Sequence, residues 1–408
     1  MRSRRADLST MKKTLAIIGG GPASLFLAAF LNSDLFDITI YEQNKSLGRK
    51  FLVAGKGGFN LTHSEPMETF IERYTPNNCL KEALLFFDNT HLRQWLNNIG
   101  IPTYIGSSKR IYPEDGIKPI EVLNAIVRFL DKKGINIQFE HHWTGWNDNM
   151  DLTFKTNDPV KADYTVFALG GGSWKVTGSD GNWLSTFAGK GINTLPFYPA
   201  NCAYGVEWGK EFIAKNEGRP LKNIAIQCDG KIQKGEVVLT QFGLEGNAIY
   251  ALSPQIQHTL TIKNEAIVYL DLKPTLDREK IETKLQLSKH KKTTDILRKD
   301  LKLSSAQVDL IKATLTKEEF LNTELLAQKM KGLPLKITSA APLDEAISTT
   351  GGIDLKAVDA NFELKELRHH FCIGEMLDWN APTGGYLLQA CFSMGAFLAD
   401  KLNQRNTT

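Results

Sequence analysis

The run Gly19-Gly-Gly21-Pro-Ala-Ser24 has the residue types and spacing of a turn that lies against phosphates. Gly19 permits a tight turn, and Gly21 leaves no Cβ in the path of a pyrophosphate. Pro22, Ala23 and Ser24 then lead into a helix whose unpaired N–H groups and partial positive charge face the same anion. Ser24 stands where the pattern has its third glycine, so the helix is expected to sit slightly displaced with binding retained. Glu42 and Gln43 follow about twenty residues on. The Glu42 carboxylate is placed to accept both ribose hydroxyls of an adenosine. The elements that must hold these groups are legible around them. Thr14 to Ile18 is a short apolar run that reads as a buried parallel strand, Leu25 to Asn32 reads as a helix, and Asp37 to Glu42 alternates as a second strand.

The turn alone does not select the nucleotide, but three later segments favour FAD over nicotinamide. Gly48-Arg49-Lys50 brings two cations within reach of the adenosine side or the pyrophosphate, although a solvated basic loop accounts for them as well. Tyr164 to Gly172 is another apolar strand running into glycines, where Ala168 and Gly170 allow the chain to return beside the dinucleotide. Near the C-terminus, His370 to Glu375 reads as a strand ending in Gly374-Glu375, an acid suited to ribityl hydroxyls. Gly384-Gly385-Tyr386 then opens a helix to about Asn403. Its amides are placed for the pyrimidine edge of a flavin, where reduction deposits negative charge. No second fingerprint is present. NAD(P)H therefore has no dedicated site and is expected to bind weakly, over the flavin face or at an inserted domain.

The loop Gly55 to His63 is the expected wall beside the flavin ring. Gly57 and Gly58 allow main-chain amides close to it, and Asn60, followed by Leu61, can hydrogen-bond there. Lys56, His63 and Tyr386 are the candidates for catalysis. Lys56 is a grip for an acidic group or an exposed loop lysine, His63 a proton donor or a capping residue, and Tyr386 a cover for the ring or a packing residue. The five cysteines never form C-x-x-C, which argues against a dithiol relay or a zinc site and for reduced thiols in a cytoplasm. No metal site is expected.

Together these segments resemble a bacterial family of FAD-dependent oxidoreductases. It includes aminoacetone-oxidase-like enzymes, flavoproteins proposed to reduce dehydro bile-acid intermediates, and many members of unassigned activity. The resemblance runs over nearly the whole chain from Met11. It is carried by Gly48 to His63, Arg110-Ile-Tyr-Pro113, Gly235 to Leu244, Thr349-Thr-Gly-Gly-Ile353 and, most closely, Gly374 to Tyr386. Many members have Arg-Cys before the Asn of the glycine loop; this chain has Gly58-Phe59, which marks a distinct subgroup. The resemblance implies an α/β fold. Its Rossmann-type FAD-binding domain, of the two-dinucleotide flavoprotein kind, is interrupted by a β-barrel-like domain and a small helical domain.

The sequence itself agrees with that layout. Short alternating runs between Tyr198 and Leu272 suit a β-rich insertion, and Leu276 to Lys331 shifts to helical spacing with a mildly basic, solvated face. The expected boundaries are 11–196 with 345–408 for the FAD domain, 197–275 with 332–344 for the barrel-like insertion, and 276–331 for the helices. Residues 1–10 form a basic tail or an upstream extension before Met11. Of the net charge of +4, part sits there, in Arg2, Arg4 and Arg5 opposed by Asp7. The remainder is nearly neutral and gives no argument for nucleic acid, and no apolar run is long enough for a membrane span. The expected function is oxidation of an amine-like substrate or reduction of an unsaturated one, with a small molecule as partner. The alternative is a flavin-binding module without enzymatic activity or one related to RNA modification. Oligomeric state is not legible.

Overall fold

The computed structural model describes residues 12–53 and 58–407; the first ten residues, Lys56 and Gly57 lie outside them. The chain forms two compact units. One comprises Met1–Tyr198 with Ser348–Thr408, the other Pro199–Ile347.

The first unit is built on a five-stranded parallel sheet. β1 (Lys13–Ile18) pairs with β2 (Phe36–Tyr41) on one side and with the strand Tyr164–Phe167 on the other. Asn136–Gln138 and His370–Cys372 complete the two edges. Successive connections therefore leave β1 in opposite directions. That makes the C-terminal ends of β1 and Tyr164–Phe167 the switch point at which open α/β sheets take ligands. β1 is buried from Leu15 to Ile18, as expected for a parallel strand covered on both faces.

Helix α1 spans Pro22–Phe30, shorter than the expected Leu25 to Asn32 at its end and longer at its start. Pro22 supplies the preset φ of a first helical residue. At the other end the Asn32 side chain turns back to accept from the Asp34 N–H at 2.8 Å, a local bond that competes with another helical turn. α1 carries no charged residue and is buried continuously from Ala23 to Ala29, so it needs apolar cover all round. The sheet provides one side. The other is the C-terminal helix Tyr386–Thr407, which crosses α1 at Gly395. A Cβ there would stand 2.5 Å from the Ala23 carbonyl oxygen and 2.7 Å from the Leu27 nitrogen. This helix runs past the expected Asn403 because Asn406 and Thr407 bond back to Leu402 and Asn403. The segment after Ser173-Trp174 forms a single 3₁₀ turn, Lys175–Thr177.

The second unit is a seven-stranded antiparallel sheet. Its two edge strands, Leu333–Ile337 and Ser339–Ala340, are almost contiguous in sequence. The helices Arg278–Gln286, Ser305–Thr314 and Thr323–Met330 share one hydrophobic core with it, through Ile281, Val308, Leu326 and Met330 against Ile224, Val268 and Leu270. Among the described residues no helix is long and apolar enough to cross a membrane.

The crossing at Gly395 gives a direct test. Gly395→Val forces the two helices apart and is expected to destabilise the protein by about 1–3 kcal/mol. The midpoint of urea unfolding should fall measurably, whereas Gly209→Ala, at a position where an added Cβ meets nothing within 4 Å, should leave it unchanged.

Candidate functional site

At the switch point the chain leaves β1 through Gly19, at φ +102°, whose N–H donates to the Tyr41 carbonyl at 2.8 Å. A side chain at Gly19 is barred twice, by that dihedral and by the Ala168 carbonyl oxygen, 2.5 Å from where a Cβ would stand. Gly21 differs. Its backbone is extended and a Cβ there would meet nothing within 4 Å. The space is open, and no side chain caps α1 behind it. Its first N–H groups are therefore available to an anion.

This turn opens on a cavity of about 350 Å³. Gly19, Gly21, Pro22, Ala23, Glu42, Gln43, Arg49, Lys50, Ala168, Gly170, Gly374 and Glu375, each named from the sequence, line it. Ser24 does not: it is fully buried and its hydroxyl has no partner. The Glu42 carboxylate is 8% exposed and fixed from both sides. One oxygen accepts from the Gly20 N–H at 2.8 Å and the other from the main-chain and side-chain nitrogens of Asn44. A carboxylate has about four acceptor sites, so it retains capacity for a hydroxyl.

The Gln43 amide donates to the Gly178 carbonyl at 2.7 Å. Arg49 is held by Asn44 and by the Val176 carbonyl, which places its guanidinium beside the Glu42 end. Lys50 reaches the opposite end. Its ammonium lies 2.8 Å from Glu375 and 2.9 Å from the Ser173 hydroxyl, and Glu375 also accepts from the Thr349 N–H. An anchored acid near each end and an open glycine turn with a free helix start between them fit a dinucleotide.

A second group forms around the short antiparallel strands Thr62–His63 and Arg110–Pro113. Gly385, at φ +101°, is pressed against Thr62, its virtual Cβ only 2.5 Å from the Thr62 Cα. This contact delivers Tyr386 to the strand. The Tyr386 ring lies near-parallel to that of His63 at 5.3 Å, and its hydroxyl donates to Glu65 at 2.7 Å. Arg73 grips the same carboxylate through two nitrogens, at 3.0 and 2.8 Å. Burial alone would raise the Glu65 carboxyl, but the bonds from Arg73 and Tyr386 outweigh it and hold it below the usual carboxylate range. Burial raises the Tyr386 phenol well above its ordinary value and lowers the His63 imidazole. At neutral pH the cluster is therefore a charged Arg73–Glu65 pair, a protonated phenol and a neutral imidazole.

Gly58, Asn60, Leu61, His63, Gly384, Gly385 and Tyr386 all belong to this second group and do not line the first cavity. Leu61 is fully buried and packs, Asn60 is half-buried and Gly58 is exposed. Several participants carry no mark in the sequence reading. Thr177-Gly178-Ser179-Asp180 and Trp183 line the cavity, and only the glycines bracketing that loop could have pointed to them. Glu65 and Arg73 have no motif at all. The Cys391 thiol, which also lines the cavity, is pushed up by burial to about 12 and is no nucleophile. No cluster of metal-ligating side chains occurs among the described residues.

Comparison with known proteins places these features. The HI0933-like protein Rossmann domain matches residues 13–401. The 3-dehydro-bile acid delta(4,6)-reductase of Clostridium scindens is 24% identical, with 93% of this chain and 97% of that protein covered. A ribosomal RNA dihydrouridine synthase of Haemophilus influenzae is 21% identical, with 92% and 95% covered. Among solved structures, the open conformation of a flavocytochrome c3 fumarate reductase is 12% identical over 98% of this chain and 80% of that one, with a TM-score of 0.48.

Two outcomes follow from the geometry. Gly21→Val adds a side chain where nothing of the protein stands, so the variant should fold with unchanged helicity yet purify colourless, with no FAD released on denaturation. A full complement of FAD would remove the phosphates from this turn. Glu65→Ala leaves the buried Tyr386 phenol without its acceptor and the Arg73 guanidinium without its carboxylate, and should cost about 1–3 kcal/mol at pH 7. The folded Glu65 carboxyl titrates below its ordinary value of 4.5, so its contribution is complete above that value and is lost as pH falls through the lower, folded one. The difference in Tm between wild type and variant should narrow correspondingly below pH 4.5.

Proposed function

The chain belongs to the HI0933-like Rossmann-domain family and is an FAD-dependent oxidoreductase, and on that premise we propose that it reduces a carbon–carbon double bond conjugated to a carbonyl in a small organic molecule. FAD, when bound and reduced, supplies the hydride. Gly19, Gly21 and the start of α1 would hold its pyrophosphate, with Glu42 at the adenosine ribose and Glu375 at the ribityl chain. Gly384 and Gly385 would offer amides to the pyrimidine edge.

The observation that carries the reading is the Tyr386–Glu65–Arg73 cluster with His63 stacked on it. Tyr386 is fixed by three contacts: its hydroxyl to Glu65, its carbonyl accepting from the Tyr74 hydroxyl at 2.8 Å, and its ring against His63. It forms a rigid wall. His63 Nδ1 accepts from the Glu65 N–H at 3.2 Å, so in the neutral ring the proton sits on Nε2. We assign to the imidazole, which the Ser108 main chain also engages by a hydrogen bond, the proton delivered to the carbon next to the carbonyl. Desolvation pushes up the thiols of all five cysteines, so none is poised as a thiolate, in keeping with direct exchange between cofactor and substrate.

The two relatives lend the reading its substrate class. One is named for reducing double bonds of a dehydro bile acid, the other for making dihydrouridine. Both names describe the addition of hydrogen across a double bond. The second name also favours uridine in RNA as a substrate, which the assay must include.

The assay mixes anaerobically reduced enzyme with cyclic enones, a uridine-containing oligoribonucleotide and small amines. Enones should restore the oxidised flavin spectrum. Bleaching of oxidised enzyme by amines, with no response to enones, would sink the proposal in favour of an amine oxidase. His63→Gln should retain FAD and lose about 10²-fold in kcat. Burial holds the imidazole below its ordinary value of 6.5, so its cationic, more acidic form appears only under more acid conditions. Wild-type kcat should therefore rise as pH falls below 6.5, and the variant should lack that limb.

A further inference from the structure

Resting on that reading, we propose that Arg110 holds the carbonyl oxygen of the substrate, and that the substrate is a planar conjugated carbonyl compound laid on the ring pair Tyr104–Tyr112. Arg110 opens the central strand of a three-stranded antiparallel sheet. It stands opposite His63 on one neighbour, and Tyr112 stands opposite Tyr104 on the other. Cross-strand partners share a face and side chains alternate along a strand. One face of this sheet therefore carries His63, Arg110, Tyr112 and Tyr104, while Ile111, 1% exposed, points to the other. The two tyrosine rings are stacked, 5.6 Å apart and 26° from parallel, and Tyr104 is 41% exposed. The face is thus an aromatic plate with a cation at its end.

Arg110 is half-buried, and among the described residues its guanidinium makes no hydrogen bond and no ion pair. Glu65 is already occupied by Arg73 and Tyr386, and His63, opposite Arg110 in the sheet, is neutral at pH 7. The guanidinium is nonetheless positioned. Its Nε lies 3.3 Å from the place a Cβ of Gly384 would occupy, so it rests on the glycine turn that precedes the C-terminal helix. A partly desolvated cation with its planar set of donors uncommitted is matched by an oxygen that carries or develops negative charge.

The proposed reaction develops such charge. Hydride adds to the carbon remote from the carbonyl, and the π electron pair moves through the conjugated system onto the carbonyl oxygen, giving an enolate that Arg110 stabilises. Protonation at the adjacent carbon by His63 returns that pair to carbon and restores the carbonyl. The two electrons come from the reduced cofactor, which is recharged by a two-electron donor of the reduced nicotinamide class or, in the assay, by dithionite. Stabilising charge only where it appears during reaction is the most effective use of a fixed cation.

The test uses 4-nitrophenolate, a planar oxyanion that mimics the enolate, against its neutral counterpart 4-nitroanisole. Both are titrated into oxidised holoenzyme at a pH where the phenol is fully ionised. Wild type should prefer the anion. Arg110→Met should weaken phenolate binding by at least about tenfold and leave the anisole and the FAD content unchanged, while Arg110→Lys should keep part of the preference. Tyr104→Ala, at an exposed position, should weaken both ligands alike. An undiminished preference for the anion in Arg110→Met overturns the proposal, and more so if the flavin midpoint potential falls in the same variant, since Arg110 would then face the cofactor. Equal binding by Tyr104→Ala and wild type overturns the aromatic plate. Should wild type bind phenolate through Arg110 yet reduce no enone, the oxyanion site stands and the reductase reading fails.

Discussion

The approach of Gly19 to the Ala168 carbonyl sets the position of nearly everything else in the first unit. Two parallel strands end side by side, and a turn with no side chain lets their backbones meet. A Cβ at Gly19 would push the two strand ends apart and with them the two halves of the cavity. The same device recurs along its wall. Gly20 is packed against Leu47 and Glu42, and Gly171 against Thr349 and Glu375. Each contact draws an acidic residue toward the crevice. The carboxylates at its two ends are therefore placed by backbone packing as much as by their own hydrogen bonds.

The C-terminal helix carries that placement to the second group. It is held at two glycines, Gly385 against Thr62 just before its start and Gly395 against α1. Ten residues of helix span roughly 15 Å, so the spacing between the nucleotide-turn helix and the Tyr386 wall is fixed by a rigid rod. Small residues at both contacts let that rod lie close enough to transmit the distance without slack. The sheet gives the turn, the helix gives the wall, and residues far apart in sequence share one frame.

How much of this the sequence disclosed depends on whether a feature is local. The parallel core was legible because a strand, a glycine turn, a helix and an acid at the next strand end fall within about thirty residues, and each imposes its own composition. The ends of elements were less legible. Asn32 stops α1 by a side-chain bond, and Asn406 and Thr407 prolong the last helix by others, choices that periodicity does not encode. Glu65, Arg73 and Arg110 carry no local pattern, because the Arg73–Glu65 pair and the register that sets Arg110 opposite His63 arise only in the folded chain. Arg110 stood within a stretch marked by resemblance, yet nothing in that stretch says that its guanidinium has no partner among the described residues. Absence of a partner is a three-dimensional property.

The balance of charge in the first unit follows from the same geometry. Lys50 is committed to Glu375 and Arg73 to Glu65, both in partly buried pairs. Such pairs contribute little net stability, because desolvation offsets most of the attraction, but they consume the cations. Arg49 spends its donors on Asn44 and a main-chain carbonyl. The bidentate grip of Arg73, reinforced by the Tyr386 hydroxyl, commits the Glu65 carboxylate in the same way. Among the described residues Arg110 takes part in none of these pairs, so its charge stands apart from the acids that anchor the rest of the unit.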